Sequence, residues 1–202
     1  MRTASRRPQT ERREQIAGAA LRLLGRGGLD AVTAAALARE VGVTPGALFR
    51  HFATMDEIVV AAVERAAARL AATFPPDGLA PAEWLRSLAR ERIALLREEP
   101  GIAWLLRSEQ APAALPRSVI GPLREAILRS RTRIDAAIRR GVEEGRLRSD
   151  VPPAVLRAVF TAMIHSLTGP HGVAQRVGGL VDPEPLLSGL FVLLSPPSES
   201  RR

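Results

Sequence analysis

The 202-residue chain contains no cysteine, tyrosine, lysine or asparagine. Without cysteine it has no disulfide framework, no thiolate metal site and no cysteine nucleophile. Without lysine, all 29 basic residues are arginine. This reads as the bias of a GC-rich genome, so arginine content alone says little about nucleic acid. No run of about 18 apolar residues occurs, and the Arg-rich N-terminus lacks a hydrophobic segment. Neither a membrane span nor a signal peptide is expected, and a cytoplasmic location follows. His51, His165 and His171 have no metal-ligand spacing, and there is no glycine-rich phosphate loop. The adjacent pairs Glu98-Glu99 and Glu143-Glu144 point to different sides of a helix. No catalytic residue, metal ligand or cofactor site is therefore expected, which sets an enzyme aside.

What is present suits a buried core: 46% of residues are apolar, in a length that fits one compact domain or two small ones. Net charge is +8 and unevenly placed. Residues 1–55 hold nine arginines against four acids, and the rest of the chain twenty against seventeen. Positive charge thus gathers in the N-terminal quarter, as a phosphate-binding surface requires.

That quarter ends in TAAALAREVGVTPGALFRHFATMDEI, residues 33–58, whose punctuation is specific. Thr33 caps a helix with Ala34, Leu37, Ala38 and Val41 inward. Gly42 is the permissive residue of a helix-ending turn, and Val43 the apolar pin after it. Thr44 before Pro45 is a second start, for a helix running to about His51. Thr54 and Glu57 form a capping box for a third. Two short helices around a tight turn make a helix-turn-helix.

The stretch resembles the DNA-binding segment of the TetR family of bacterial transcriptional regulators. Thr33, Leu37-Ala38, Gly42-Val43, Thr44, Leu48, His51, Phe52 and Thr54 match its pattern. Two positions depart from it. Phe49 stands where the family usually has Tyr, without a hydroxyl for phosphate, and Met55 where it usually has Lys. The resemblance implies an all-α fold, with an N-terminal three-helix DNA-binding domain followed by a helical-bundle ligand-binding and dimerisation domain. Thr33 and Thr44, at helix N-termini, offer backbone N–H groups to phosphates, and His51 sits where the family makes a further backbone contact. Pro45, Gly46, Ala47 and Arg50 remain to read bases, of which Arg50 alone can bind guanine bidentately.

Along the rest of the chain, residues 1–8 read as a disordered basic arm carrying Arg2, Arg6 and Arg7, and residues 9–69 as the DNA-binding domain. Phe74 to Gly78 break the pattern, 79–195 form the C-terminal domain, and 196–202 are a tail. Helices open at Pro81, Pro100, Gly121-Pro122, Pro153 and Pro183, with Leu123, Ile127, Ile134, Ile138 and Val142 on one face of the longest. Trp84, Leu88, Trp104, Leu105, Ile127, Phe160 and Met163 are candidate walls of a pocket for a small hydrophobic effector, with His165, Arg107 and Gln110 as polar points.

By the same resemblance the last two helices dimerise. Their stripes supply Leu156, Val159 and Leu167, then Leu187, Leu190, Phe191 and Leu194. The function expected is a homodimeric regulator on double-stranded DNA, a repressor released by an effector. The alternative is a nonspecific DNA-coating protein without an operator.

Overall fold

The structure, a computed structural model, describes residues 9–107, 115–168 and 182–197. Among them every regular element is helical: α1 Gln9–Gly27, a 3-10 turn Leu29–Ala31, α2 Ala34–Val41, α3 Pro45–Leu48, α4 Met55–Ala72, α5 Pro81–Glu98, α6 Pro100–Arg107, α7 Arg117–Glu143, α8 Pro153–Ser166 and α9 Pro183–Leu194. None of these helices is long and apolar enough to cross a membrane. The basic arm 1–8, Gln110, His171 and most of the tail lie outside the described residues.

Contacts group the chain into two compact units, Met1–Arg69 with Glu99–Glu125, and Leu70–Glu98 with Ala126–Arg202. The sequence reading placed everything after residue 79 in one body, whereas Glu99–Glu125 goes with the N-terminal stretch. Glycine explains this. A Cβ on Gly101 would land on the backbone of Leu21, and one on Gly25 would lie 2.7 Å from the Gly101 nitrogen. The two bare Cα atoms let α6 press directly onto α1. Ion pairs reinforce the first unit: Arg65 of α4 meets Glu14 of α1 at 3.0 Å, and Arg69 meets Glu99 at 2.9 Å.

Inside the first unit α1 buries Ile16, Ala20, Leu21, Leu23 and Leu24, and α4 buries Ile58, Val59, Ala62, Val63 and Ala66. Both sets follow the 3.6-residue period of an amphipathic helix.

In the second unit α5, α8 and α9 pack on one another. Their core includes Leu85, Leu88, Leu156, Phe160, Leu187 and Phe191, with the Phe160 and Phe191 rings edge to face at 6.5 Å. Arg148, in the α7–α8 connection, donates from its amide to the Leu194 carbonyl and from its side chain to Leu193, while Asp150 holds its guanidinium. The end of α9 is thereby fastened to the chain before α8.

Helix α7 departs from expectation in two ways. It starts at Arg117 rather than at Gly121-Pro122, and carries Pro122 inside it. Ser118 and Pro122 are both exposed, so the carbonyl that Pro122 cannot serve stays within reach of water. Its apolar stripe is buried only toward the C-terminal end: Ile134 and Ile138 are core, whereas Ile127 is 42% exposed.

Candidate nucleic-acid interface

The helix-turn-helix is assembled by the residues its sequence singled out. Thr33 adopts an extended backbone and its hydroxyl accepts from the Ala36 amide at 3.2 Å, closing the start of α2. At the other end Gly42 is left-handed, φ 74°, and the Val43 amide reaches back to the Ala38 carbonyl at 2.9 Å. This is the Schellman ending that glycine permits without a Cβ penalty. Leu37, Ala38 and Val41 face inward, Val43 is half-buried, and Leu48 and Phe52 are fully enclosed.

Three details differ from the sequence reading. Thr44 occupies the cap position of α3, but its side chain makes no capping hydrogen bond. Thr44 is an exposed residue, so its uncommitted hydroxyl can serve an external acceptor. Helix α3 ends at Leu48 instead of His51, because the amides of His51 and Phe52 both turn to the Leu48 carbonyl, at 2.9 and 3.1 Å. That tightening swings Phe52 into the core. In the capping box of α4, Thr54 accepts from the Glu57 amide as expected, but Glu57 reaches back to the amide of Ala53, at 2.8 Å, and not to that of Thr54.

The face this builds is open. Thr33, Thr44, Pro45, Gly46, Phe49 and Arg50 are exposed, while Ala47 and His51 are half-buried. Arg50 makes no hydrogen bond or ion pair with any described residue, so its full guanidinium fork is available. Arg39, on α2, is likewise exposed and unpaired. The sequence did not separate it from an ordinary solvated arginine. By contrast Arg22 and Arg26 are spoken for by Glu40, at 2.8 and 3.0 Å. Their hydrogen bonds, Arg22 foremost, hold the Glu40 carboxyl below its ordinary range and tie α1 to α2.

His51 is held from within. Its carbonyl accepts from the Arg13 guanidinium, which lies 4.0 Å from the centroid of the Phe52 ring, and its Nδ1 is buried without a partner. Arg13 was missed in the sequence, where nothing distinguishes it from its neighbour Arg12.

The remaining site residues fall as follows. Of the expected dimer contacts, Leu156, Leu187, Leu190, Phe191 and Leu194 are buried within this chain, at 4% exposure or less, and so are core rather than partner surface. Leu167 is half-buried and Val159 is exposed. The large apolar residues that α8 and α9 do leave exposed are Val155, Val159, Leu186, Val192 and Leu193. Periodicity does not separate the core face of these helices from the exposed one, because both sides of each are apolar. Of the expected effector walls, Leu88 and Phe160 are core of the second unit, Ile127 is exposed, and Met163 and His165 are half-buried. Trp104 and Leu105 belong to the first unit, where the Trp104 indole packs on Gly28. Arg107 spends its Nε on the Ala103 carbonyl, and burial pushes it down. A cavity opens in the second unit beside Trp84, its one member in common with the expected walls.

Residues 16–62 match the model of the bacterial regulatory proteins of the tetR family. A protein of Mycobacterium tuberculosis described as the HTH-type transcriptional repressor Rv1474c is 27% identical over 191 residues, spanning 89% of each chain. Among solved structures, the ketosteroid transcriptional regulator KstR2 of Mycobacterium tuberculosis superposes with a TM-score of 0.74 at 18% identity, covering 91% of this chain and 95% of that one. AibR, solved in complex with isovaleryl coenzyme A and operator DNA, gives 0.72 at 19% identity, covering 93% and 100%. At these identities the two structures establish a common fold over nearly the whole chain. The family match covers the helix-turn-helix and its flanking helices, so residues 16–62 are similar to the DNA-binding segment of the tetR family.

Proposed function

We propose that the chain is a cytoplasmic, homodimeric transcriptional repressor that binds a palindromic operator and is released by a small-molecule effector. The observation that carries the reading is the pairing of an unpartnered Arg50 with the exposed start of α3. Backbone N–H groups and the Thr44 hydroxyl anchor on phosphate there, while Arg50 reaches a guanine edge. Pro45, Gly46 and Ala47 have no hydrogen-bonding side chain, so base reading concentrates on Arg50, with DNA shape supplying the remainder. The exposed Val155, Val159, Leu186, Val192 and Leu193 are the surface by which α8 and α9 meet a second copy. A two-fold dimer sets its recognition helices about 34 to 36 Å apart, one turn of the duplex. The relatives described as a repressor and as a complex with a coenzyme A thioester and operator DNA support the repressor and effector parts.

Footprinting on DNA upstream of the adjacent gene tests the reading. A discrete protected palindrome is the expected result. Uniform, salt-sensitive coverage would replace it with nonspecific coating.

A further inference from the structure

We propose that the cavity beside Trp84 binds a small organic anion with a flat or apolar body. This rests on the effector-responsive reading above and names the chemical class of the effector. The cavity holds about 300 Å3, the lower end of small-ligand sites, and lies between the α4–α5 connection, the start of α5 and the C-terminal half of α7. Helix α7 presents Ala136 and Ala137 to it, two side chains too short to fill the gap. Trp84 supplies a flat wall, its ring stacked with that of Phe74 at 6.3 Å and 16°.

Charge decides what fits. Arg133 and Arg140 line the cavity, and the Arg133 guanidinium lies 4.6 Å from the Phe74 centroid and 5.7 Å from that of Trp84. Arg133 pairs with Asp77 at 2.8 Å and Arg140 with Glu144 at 3.1 Å. Asp77 is 94% exposed, so its hold on Arg133 is screened by water and readily exchanged.

A third guanidinium, Arg92, lies 5.5 Å from the same Phe74 ring and is 7% exposed. Its hydrogen bonds go to Thr73 Oγ1 at 2.9 Å, the Leu70 carbonyl at 3.2 Å and Ser130 Oγ at 3.5 Å, none of them a carboxylate. Burial pushes it down to about 10, which leaves it charged at neutral pH. Arg133 and Arg140 thus line the cavity and Arg92 stands behind its Phe74 ring, against two carboxylates, Asp77 and Glu144, that are both exposed to water. A buried cation without a counterion is costly. An anion in the cavity offsets that cost, whereas a neutral or cationic ligand does not. Its carboxylate or phosphate takes the place of Asp77 on Arg133, and its body lies along Trp84 and the two alanines.

The test uses the full chain with Trp104→Phe, which leaves Trp84 as the single indole, and follows its quenching by 4-nitrobenzoate and by the neutral 4-nitrobenzamide. Saturable quenching by the carboxylate is expected, with the amide about tenfold weaker or more. Arg133→Met and Arg140→Met should each weaken 4-nitrobenzoate about tenfold. Ala137→Leu, which fills the gap on a partly exposed helix face, should abolish binding while the thermal midpoint holds. Asp77→Asn should tighten it, because it releases Arg133. Unsaturable quenching, equal affinity for the amide, or weaker binding in Asp77→Asn would overturn the proposal. Footprints on the same preparations separate the two readings. A missing anion site with an intact operator footprint removes this inference alone, and a parent protein without a footprint removes the regulator.

Discussion

Arg13 of α1 covers the ring of Phe52 at 4.0 Å from its centroid and donates to the carbonyl of His51. One side chain therefore holds the end of the recognition turn by both its backbone and its ring. Arg13→Ala removes both contacts and should lower stability by about 1–2 kcal/mol, read as the urea midpoint, together with operator affinity. Arg13→Lys keeps a charge near the ring but loses the planar fork, and should fall between. An unchanged midpoint in Arg13→Ala would mean that burial of Leu48 and Phe52 sets the turn unaided.

Arg50 is exposed and makes no hydrogen bond or ion pair with any described residue, so Arg50→Ala should leave the thermal midpoint unmoved. Discrimination between operator and random DNA should fall by about 1–3 kcal/mol, the worth of one bidentate base contact. Equal losses on both DNAs would make Arg50 a phosphate contact. Thr44→Ala is the comparison: it should weaken operator and random DNA alike, since a hydroxyl on phosphate carries no sequence information.

The helix-turn-helix was legible in the sequence because its signals are local. A threonine cap, a left-handed glycine and a proline at a helix start each act within four residues. The same locality explains what escaped. Arg13 and His51 are 38 residues apart, and Gly25 and Gly101 further still, so only the folded chain shows that one pair is clamped and the other crossed. The resemblance put Leu187, Leu190, Phe191 and Leu194 on a partner surface, and apolar periodicity could not correct it, since it marks a buried face without saying what buries it. Here the burying elements are α5 and α8. The cavity beside Trp84 depends on Ala136 and Ala137, which in sequence are ordinary helix formers.

Two glycines should respond in opposite directions to the same substitution. Gly101→Ala drives a methyl into the Leu21 backbone and should cost about 3 kcal/mol or more, since backbone cannot move aside as a side chain does. Gly46, in α3, has nothing within 4 Å of an added Cβ. Gly46→Ala should stabilise by about 0.4–1 kcal/mol through the unfolded state. If the start of α3 approaches DNA closely, the same variant binds operator more weakly while melting later. A Gly46→Ala protein with parental affinity would place that backbone away from the duplex.

Acid should loosen the first unit through Glu40. Its folded value lies below the ordinary 4.5 because Arg22, then Arg26, hydrogen-bond the carboxylate. A depressed carboxyl contributes stability that is complete above its unfolded value and is lost as pH falls through the folded one. Glu184 beside Arg90 and Asp150 beside Arg148 carry the same sign in the second unit. Glu40→Gln is uncharged throughout, so its thermal midpoint should trail the parent at neutral pH and converge with it as pH falls through the depressed value of the folded Glu40 carboxyl. A gap independent of pH would assign the loss to geometry rather than charge.

Arg92 pits the stability of the second unit against the proposed anion site. The Leu70 carbonyl that Arg92 approaches also accepts from Thr73 Oγ1, at 2.7 Å, so removing the guanidinium does not orphan it. Methionine fills a similar volume and carries no charge to bury. Arg92→Met should therefore stand within about 1 kcal/mol of the parent or above it in urea denaturation, as buried charges replaced by apolar residues often do. In the same protein 4-nitrobenzoate should bind more weakly, because the uncompensated cation is gone. A loss of about 3 kcal/mol or more would instead make Arg92 a structural cap on the end of α4. The charge would then be retained for folding, with no need of a ligand to balance it.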